Sequence, residues 1–324
     1  MFRDIDFGAM MHVVRTGCDY RWIVLMLLLN LVPIALRALR WGIQLRAVGI
    51  DAPVHVLLYS IFGTYAVNLV FPRLGEVWRC GYVAYNRQAR FSTVFGSMIA
   101  DRFADLLAVA LITFGTFFLA RGALVDFIRT YPAAYSAILH AVSSPWLWCA
   151  LIAACAAAWW LLTRCRHAFA LKVRGFIRGL WEGFAAIAVM RGKFRWLGLT
   201  VAIWGCYFLG LTLAFHAFPI TEQLLMSHGL ILPLVCFVLT GISMGIPSNG
   251  GIGPYQTALL FGLMIFMPSG TDTAEFRTVG AALGNVVIAA QTLMFIVCGL
   301  IVFLLMAFEK RRAAARANNM PPRR

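Results

Sequence analysis

Residues 68–79 read Asn68-Leu-Val-Phe-Pro72-Arg73-Leu-Gly75-Glu76-Val-Trp-Arg79, and they interrupt an apolar stretch that begins at Val54. Pro72 and Gly75 break a helix. Two arginines and a glutamate follow at once. A second apolar stretch, Leu230–Phe266, is broken in its middle by Gly241, Gly245, Pro247, Gly250, Gly251, Gly253 and Pro254. The chain around both is apolar: 61% of its 324 residues are hydrophobic and 13% are charged, with a mean hydropathy of +0.81. A soluble chain is about a quarter charged. The composition excludes a soluble enzyme, a disordered protein and a disulfide-rich secreted domain. The apolar segments are long and continuous rather than alternating, which points away from a β-barrel. The fold class is an all-α polytopic membrane protein.

A spanning helix needs roughly 20 mostly apolar residues. The sequence predicts spans at Trp22–Arg40, Phe91–Ala120, Pro145–Thr163, Trp196–Phe218 and Arg277–Phe308. Basic residues orient them. The segment Arg164–Arg195 holds eight Lys and Arg against Glu182, and the C-terminal tail holds Lys310, Arg311, Arg312, Arg316, Arg323 and Arg324. Both are expected on the cytoplasmic side. Threading back from them puts Arg121–Ser144 outside, Tyr82–Arg90 inside, Arg37, Arg40 and Arg46 inside, and the residues before Trp22 outside. Val54–Arg79 then starts and ends inside, while Leu230–Pro268 starts and ends outside. Each is a re-entrant hairpin or a pair of broken helices, entering from opposite faces. The expected architecture is thus a helical bundle with two opposed broken or re-entrant hairpins, a pattern of inverted-repeat transporters. Ordinary Pro-kinked helices are the alternative.

Residues 1–309 read as a single transmembrane domain and 310–324 as a basic, disordered cytoplasmic tail. Met1–Tyr20 carries Arg3, Asp4, Asp6, Arg15 and Asp19 and has no apolar core of a signal peptide. With the start of the chain outside, one further helix is expected upstream; the alternative is that the threading is wrong at that end. In the 164–195 segment, Phe169, Val173, Phe176, Ile177, Leu180, Phe184, Ile187 and Ala188 recur at three and four. That spacing predicts an amphipathic helix lying in the interface or packed on the cytoplasmic loops.

The net charge is +15. In so apolar a chain it marks loops and anionic lipid surfaces rather than nucleic acid. The eight cysteines form no CxxC pair, and the six histidines include no HExxH. They read as buried hydrophobes and isolated side chains, so no metal and no cofactor is expected.

Asp101, Arg102 and Asp105 lie about three turns into the Phe91–Ala120 span. Charges at such depth face a cavity and pair. Glu76 with Arg79, and Arg102 with Asp105, have the spacing of helix-face pairs. Arg73, Arg79 and Arg102 are the candidate ligands of an anionic head group, because the guanidinium fork suits phosphate. Glu76, Asp101 and Asp105 are candidates for orienting them or for proton coupling. A salt-bridge network that only locks the hairpin to the span is the alternative. Asn68, Pro72, Gly75, Pro247, Asn249, Gly250, Gly251, Gly253 and Gln256 mark the two breaks. A helix restarting at Pro254 directs a positive N-terminal end inward. The second break is not a nucleotide loop, since GxxxxGK[ST] is absent. No GxSxG or Ser-His-Asp pattern supports an acyl transferase.

At Asn68–Arg79, at Arg102 with Asp105 and at the glycine run Gly250–Gly253, the chain resembles the lysylphosphatidylglycerol synthase transmembrane-region family, the flippase-like membrane proteins. The resemblance runs from about Trp22 to Phe308 and rests mainly on the string N-x-x-x-P-R-x-G-E-x-x-R. Asn68, Pro72, Arg73, Gly75, Glu76, Arg79, Arg102 and Asp105 match its pattern. It implies a lipid-handling protein of a bacterial or archaeal cytoplasmic membrane. In two-domain members an attached soluble synthase makes the aminoacylated lipid that the membrane region flips. Here Gln256 stands where an acidic residue often follows the glycines, and only a short basic tail follows Phe308. Transfer-RNA-dependent aminoacyl transfer is therefore not expected. The expected function is flippase-like transport of an anionic phospholipid or lipid-linked precursor, with a polyprenyl-phosphate among the candidates. A membrane-embedded lipid transferase using Asp101 and Asp105 is one alternative. A non-catalytic lipid-binding scaffold for a separate synthase is another, and the expected partners are membrane lipids, with a partner synthase or a second copy of the chain as candidates.

Overall fold

The computed structural model describes residues 7–122, 190–246, 248, 251–268 and 270–318, with isolated positions between 125 and 156. Nearly all of the expected span Pro145–Thr163 and most of the amphipathic 164–195 segment lie outside the described residues. So do the break residues Pro247, Asn249 and Gly250 and the end of the tail. Among the described residues there are ten α-helices and no strand. They are α1 (Phe7–Gly17), α2 (Tyr20–Ala47), α3 (Val54–Val70), α4 (Leu74–Arg87) and α5 (Phe91–Leu119), then α6 (Lys193–Phe215), α7 (Pro219–His228), α8 (Ile231–Ser243), α9 (Pro254–Ile265) and α10 (Thr273–Asn318).

Four of these helices, α2, α5, α6 and α10, are long and apolar enough to cross a membrane. α7 and α8 together pass the same test but meet at a bend of 111°. α3 and α9 are apolar and shorter. The two expected breaks are present: α3 gives way to α4 at Phe71–Arg73, and α8 to α9 between Met244 and Gly253. The bend between α7 and α8, at Gly229 with φ of 58°, was not foreseen. Two boundaries also differ from expectation. α2 runs past Arg40 to Ala47, because Trp41, Ile43 and Leu45 continue its packed face. α10 runs through Lys310–Arg312 to Asn318, so the tail expected to be disordered from 310 starts as helix.

α2 is the axis of the bundle. Asp19 caps it by accepting from the Arg21 N–H at 3.0 Å. α6 packs antiparallel along its length. The Asp19 N–H donates to Ala217 O, Gly210 backs onto Asn30, and Arg40 reaches Thr200. The apolar core falls into two clusters along this axis. One gathers the start of α2, the end of α6, α7–α9 and the first half of α10 around Phe215, Leu232, Leu259 and Leu283. The other gathers the later part of α2 with α3, α4 and the start of α5 around Trp41, Leu45, Cys80 and Val94. Pro33 sits inside α2 within a turn of the boundary between the clusters.

Each break is built by close backbone approach. A Cβ on Gly75 would collide with the Thr64 carbonyl oxygen, so only glycine lets α4 fold back against α3. Asn68 then clamps the turn, accepting from the Gly75 N–H at 2.8 Å and donating to Glu76 at 3.3 Å. In the other hairpin α8 and α9 touch at Gly262, where a Cβ would stand 2.7 Å from Cys236 Sγ. Gln256 reaches back to accept from the Gly253 N–H and donates to Asn285 of α10 at 3.1 Å.

Candidate functional site: a charged core between the helices

Arg40 is the centre of the site. It is fully buried, and its Nη2 lies 2.8 Å from Asp101 and 2.7 Å from Asp105, both on α5. Its Nη1 donates to Thr200 on α6 at 3.3 Å. Arg37, one turn earlier on α2, lies 3.4 Å from Asp105 Oδ2. Gln44 continues the same face of α2. With its amide nitrogen assigned toward the carboxylate, it donates to Asp101 at 3.0 Å and accepts from Trp196 Nε1 at 3.3 Å. Positions 37, 40, 41 and 44 share one helix face, and α2 presents it to α4, α5 and α6.

α4 supplies Arg79 and Glu76. The Arg79 guanidinium lies over the Trp41 ring at 4.5 Å and is 3.7 Å from Asp101 Oδ2. Trp41 is itself fixed by donating to Ser97 Oγ at 3.1 Å. Glu76 pairs across to Arg102 at 3.7 Å rather than with Arg79 on its own helix. Arg102 also approaches Asp105 at 3.7 Å, the expected helix-face pair.

The cluster is sealed on one side and open on the other. The Arg40, Arg79 and Asp101 side chains are 0–2% exposed, whereas Glu76 is 22% and Arg102 38% exposed. Four guanidiniums (Arg37, Arg40, Arg79, Arg102) face three carboxylates (Glu76, Asp101, Asp105), so one positive charge is left over. Hydrogen bonding is incomplete as well. Nε of all four arginines, Arg79 Nη2 and Asp105 Oδ2 are buried without a hydrogen-bond partner. Buried polar groups normally find partners, and charge in an apolar bundle is expensive. A network built only to hold helices together would be expected to close its own bonds.

Five of the six expected charged residues therefore meet: Glu76, Arg79, Asp101, Arg102 and Asp105. Arg73 does not join them. It occupies the α3–α4 break in the left-handed region, φ 67°, and donates to Gly245 O at 2.6 Å in the α8–α9 break. It thus ties the tips of the two broken hairpins together. Of the other break residues, Asn68, Gly75 and Gln256 make the turn contacts given above. Pro72 lies in the first turn, and Gly251 and Gly253 take φ of 87° and 95° in the second. Sequence reasoning missed Arg37, Arg40, Gln44 and Thr200 as members of the core. Arg37 and Arg40 read as residues of the cytoplasmic edge, but they lie about 10–15 Å short of the end of α2. The available signal was their one-turn spacing on an apolar helix with unpaired acids elsewhere in the chain. Among the described residues no three His, Cys, Asp or Glu side chains gather in a way that could hold a metal ion.

Apolar spanning helices, broken helices that meet at their tips, and an arginine-rich buried core define a polytopic α-helical membrane protein with a polar interior site. The chain belongs to the family of the lysylphosphatidylglycerol synthase TM region, whose model matches residues 1–276. No match was found among curated proteins or solved structures.

Proposed function

We propose that the protein moves an anionic phospholipid or lipid-linked precursor across the membrane, and that the charged core receives the phosphate of its head group. The observation that carries this reading is the excess of guanidinium over carboxylate, together with the unpartnered N–H groups of Arg37, Arg79 and Arg102. A phosphate supplies the missing charge and the missing acceptors at once. Arg102 and Glu76, at the exposed edge, meet the ligand first. Arg79, held by Trp41, lies deeper. Asp101 and Asp105 keep Arg40 and Arg37 in place. Arg73 contributes at the joined tips, outside the core, which changes its expected role from direct ligand to gate.

The acyl chains have a separate place. An apolar groove of about 510 Å³ runs beside the α3–α4 turn, walled by Val67, Phe71, Leu74, Trp78 and Phe303. Phe71 and Leu74 are more than half exposed there, as side chains facing lipid would be. In this reading the two hairpins enter a bacterial or archaeal cytoplasmic membrane from opposite faces, with the C-terminus cytoplasmic. The test is transbilayer movement of fluorescent phosphatidylglycerol in proteoliposomes, read by dithionite quenching. Wild type accelerates it and Arg102→Gln loses most of the acceleration. Equal rates for the two, with both folded, would remove the core from the transport path.

A further inference from the structure

A second basic site lies outside this core. The antiparallel register of α2 and α6, which sets Arg40 beside Thr200 and Asn30 beside Gly210, brings Arg46 to the level of Arg195. Between them is a cavity of about 510 Å³ lined by Ile43, Arg46, Met190, Arg191, Gly192 and Arg195. Three of these side chains are arginines, and among the described residues none that lines the cavity is a carboxylate. α6 starts at this cavity. Its N-cap is Gly192, with φ of 100°, and among the described residues no side chain caps the first-turn N–H groups of α6. The rim is that of a membrane surface. Phe194 is 80% exposed beside Lys193 and Trp196, an aromatic and basic belt at the ends of two spanning helices.

We infer that Arg46, Arg191 and Arg195, with the N-terminus of α6, form a docking site for a phosphate-bearing anion, the head group of an anionic phospholipid at the membrane surface. Guanidinium forks match phosphate oxygens, and a cavity with a net positive lining selects an anionic over a zwitterionic head group. The basic residues stand at the ends of the spanning helices α2 and α6, where each would add attraction to an anionic lipid surface. Ile43 and Met190 supply an apolar wall for the glycerol end of the lipid. The site stands on its own residues and does not depend on transport through the core.

The test uses the purified full chain in micelles, with lipid retention counted by native mass spectrometry. Short-chain phosphatidylglycerol and phosphatidylcholine are added separately, in the presence or absence of inorganic phosphate. The wild-type chain is expected to retain one more phosphatidylglycerol than the triple variant R46Q/R191Q/R195Q, whose affinity at this site falls roughly tenfold or more. The control K310Q/R311Q/R312Q removes the same charge from the end of α10 and is expected to match wild type. Displacement of that lipid by inorganic phosphate would uphold the site with free phosphate as its ligand. Equal retention by wild type and the triple variant would overturn the inference. So would an equal loss in the control, or equal retention of phosphatidylcholine by wild type. The replaced arginines are exposed, so folding is checked by thermal melting, and the single variant R46Q provides the same comparison if the triple variant does not fold.

Discussion

Replacing Arg40 and replacing Arg102 should separate what holds the core together from what it does. Arg40 has no exposed surface and makes the two shortest ion pairs of the cluster, 2.8 Å to Asp101 and 2.7 Å to Asp105. Arg40→Gln leaves two buried carboxylates facing one fewer cation, and removing one partner of a buried pair costs about 3–5 kcal/mol. Arg102 is 38% exposed and its pairs are long, 3.7 Å each. Arg102→Gln should therefore cost under about 1 kcal/mol. Thermal unfolding of both variants in the same detergent reads the difference. Arg40→Gln should melt about 5 °C or more below wild type, with Arg102→Gln within about 2 °C. Transport should show a different order, with Arg102→Gln folded but slow. If Arg40→Gln melts like wild type, the carboxylates are not held by Arg40, and the account of the core fails.

Other substitutions test the breaks. Gly75→Ala pushes a methyl against the Thr64 carbonyl oxygen and should destabilise by about 1–3 kcal/mol, seen as a smaller folded fraction in size-exclusion chromatography. Arg73→Ala and Arg73→Gly both lose the bond to Gly245 O. Only glycine adopts φ of 67° freely, so thermal melting should find Arg73→Gly more stable by about 1 kcal/mol. Gln256→Leu abandons the Gly253 N–H and Asn285 and should cost about 1–3 kcal/mol. Gln256→Glu keeps the acceptor at the start of α9 and should stay within about 1 kcal/mol of wild type on the same melting assay.

Four spans and the two breaks could be read from the sequence because each has a local cause. Length and apolarity fix α2, α5, α6 and α10, while Pro72 with Gly75 and the run ending at Pro254 stop helices by backbone chemistry alone. The bend at Gly229 escaped notice, since one glycine beside His228 carries little local signal. The charged core was half legible. Asp101, Arg102 and Asp105 stand out within an apolar run, and Glu76 and Arg79 stand out beside a break. Arg37 and Arg40 did not, because a positive charge near a helix end reads as a loop marker. Only the carboxylates of Asp101 and Asp105, 65 residues from Arg40 in the second case, show that it is interior. The partner of Glu76 was misread for the same reason: Arg79 stands three residues on along the same helix, but the cation that pairs with Glu76 is Arg102. For Arg73, spacing gave the position at the break but not its bond to Gly245, which depends on the second hairpin.

Pro33 has no N–H to give the Leu29 carbonyl, so α2 lacks one rung of its ladder there. That gap falls within a turn of the seam between the two apolar clusters. Stiffness along the rod is therefore uneven, and its weakest bending point lies where two separately packed masses adjoin. A small change of angle at that joint swings Arg37, Arg40 and Gln44 as a rigid arm. Any movement of one half of the bundle would then reach the other as leverage on its charges.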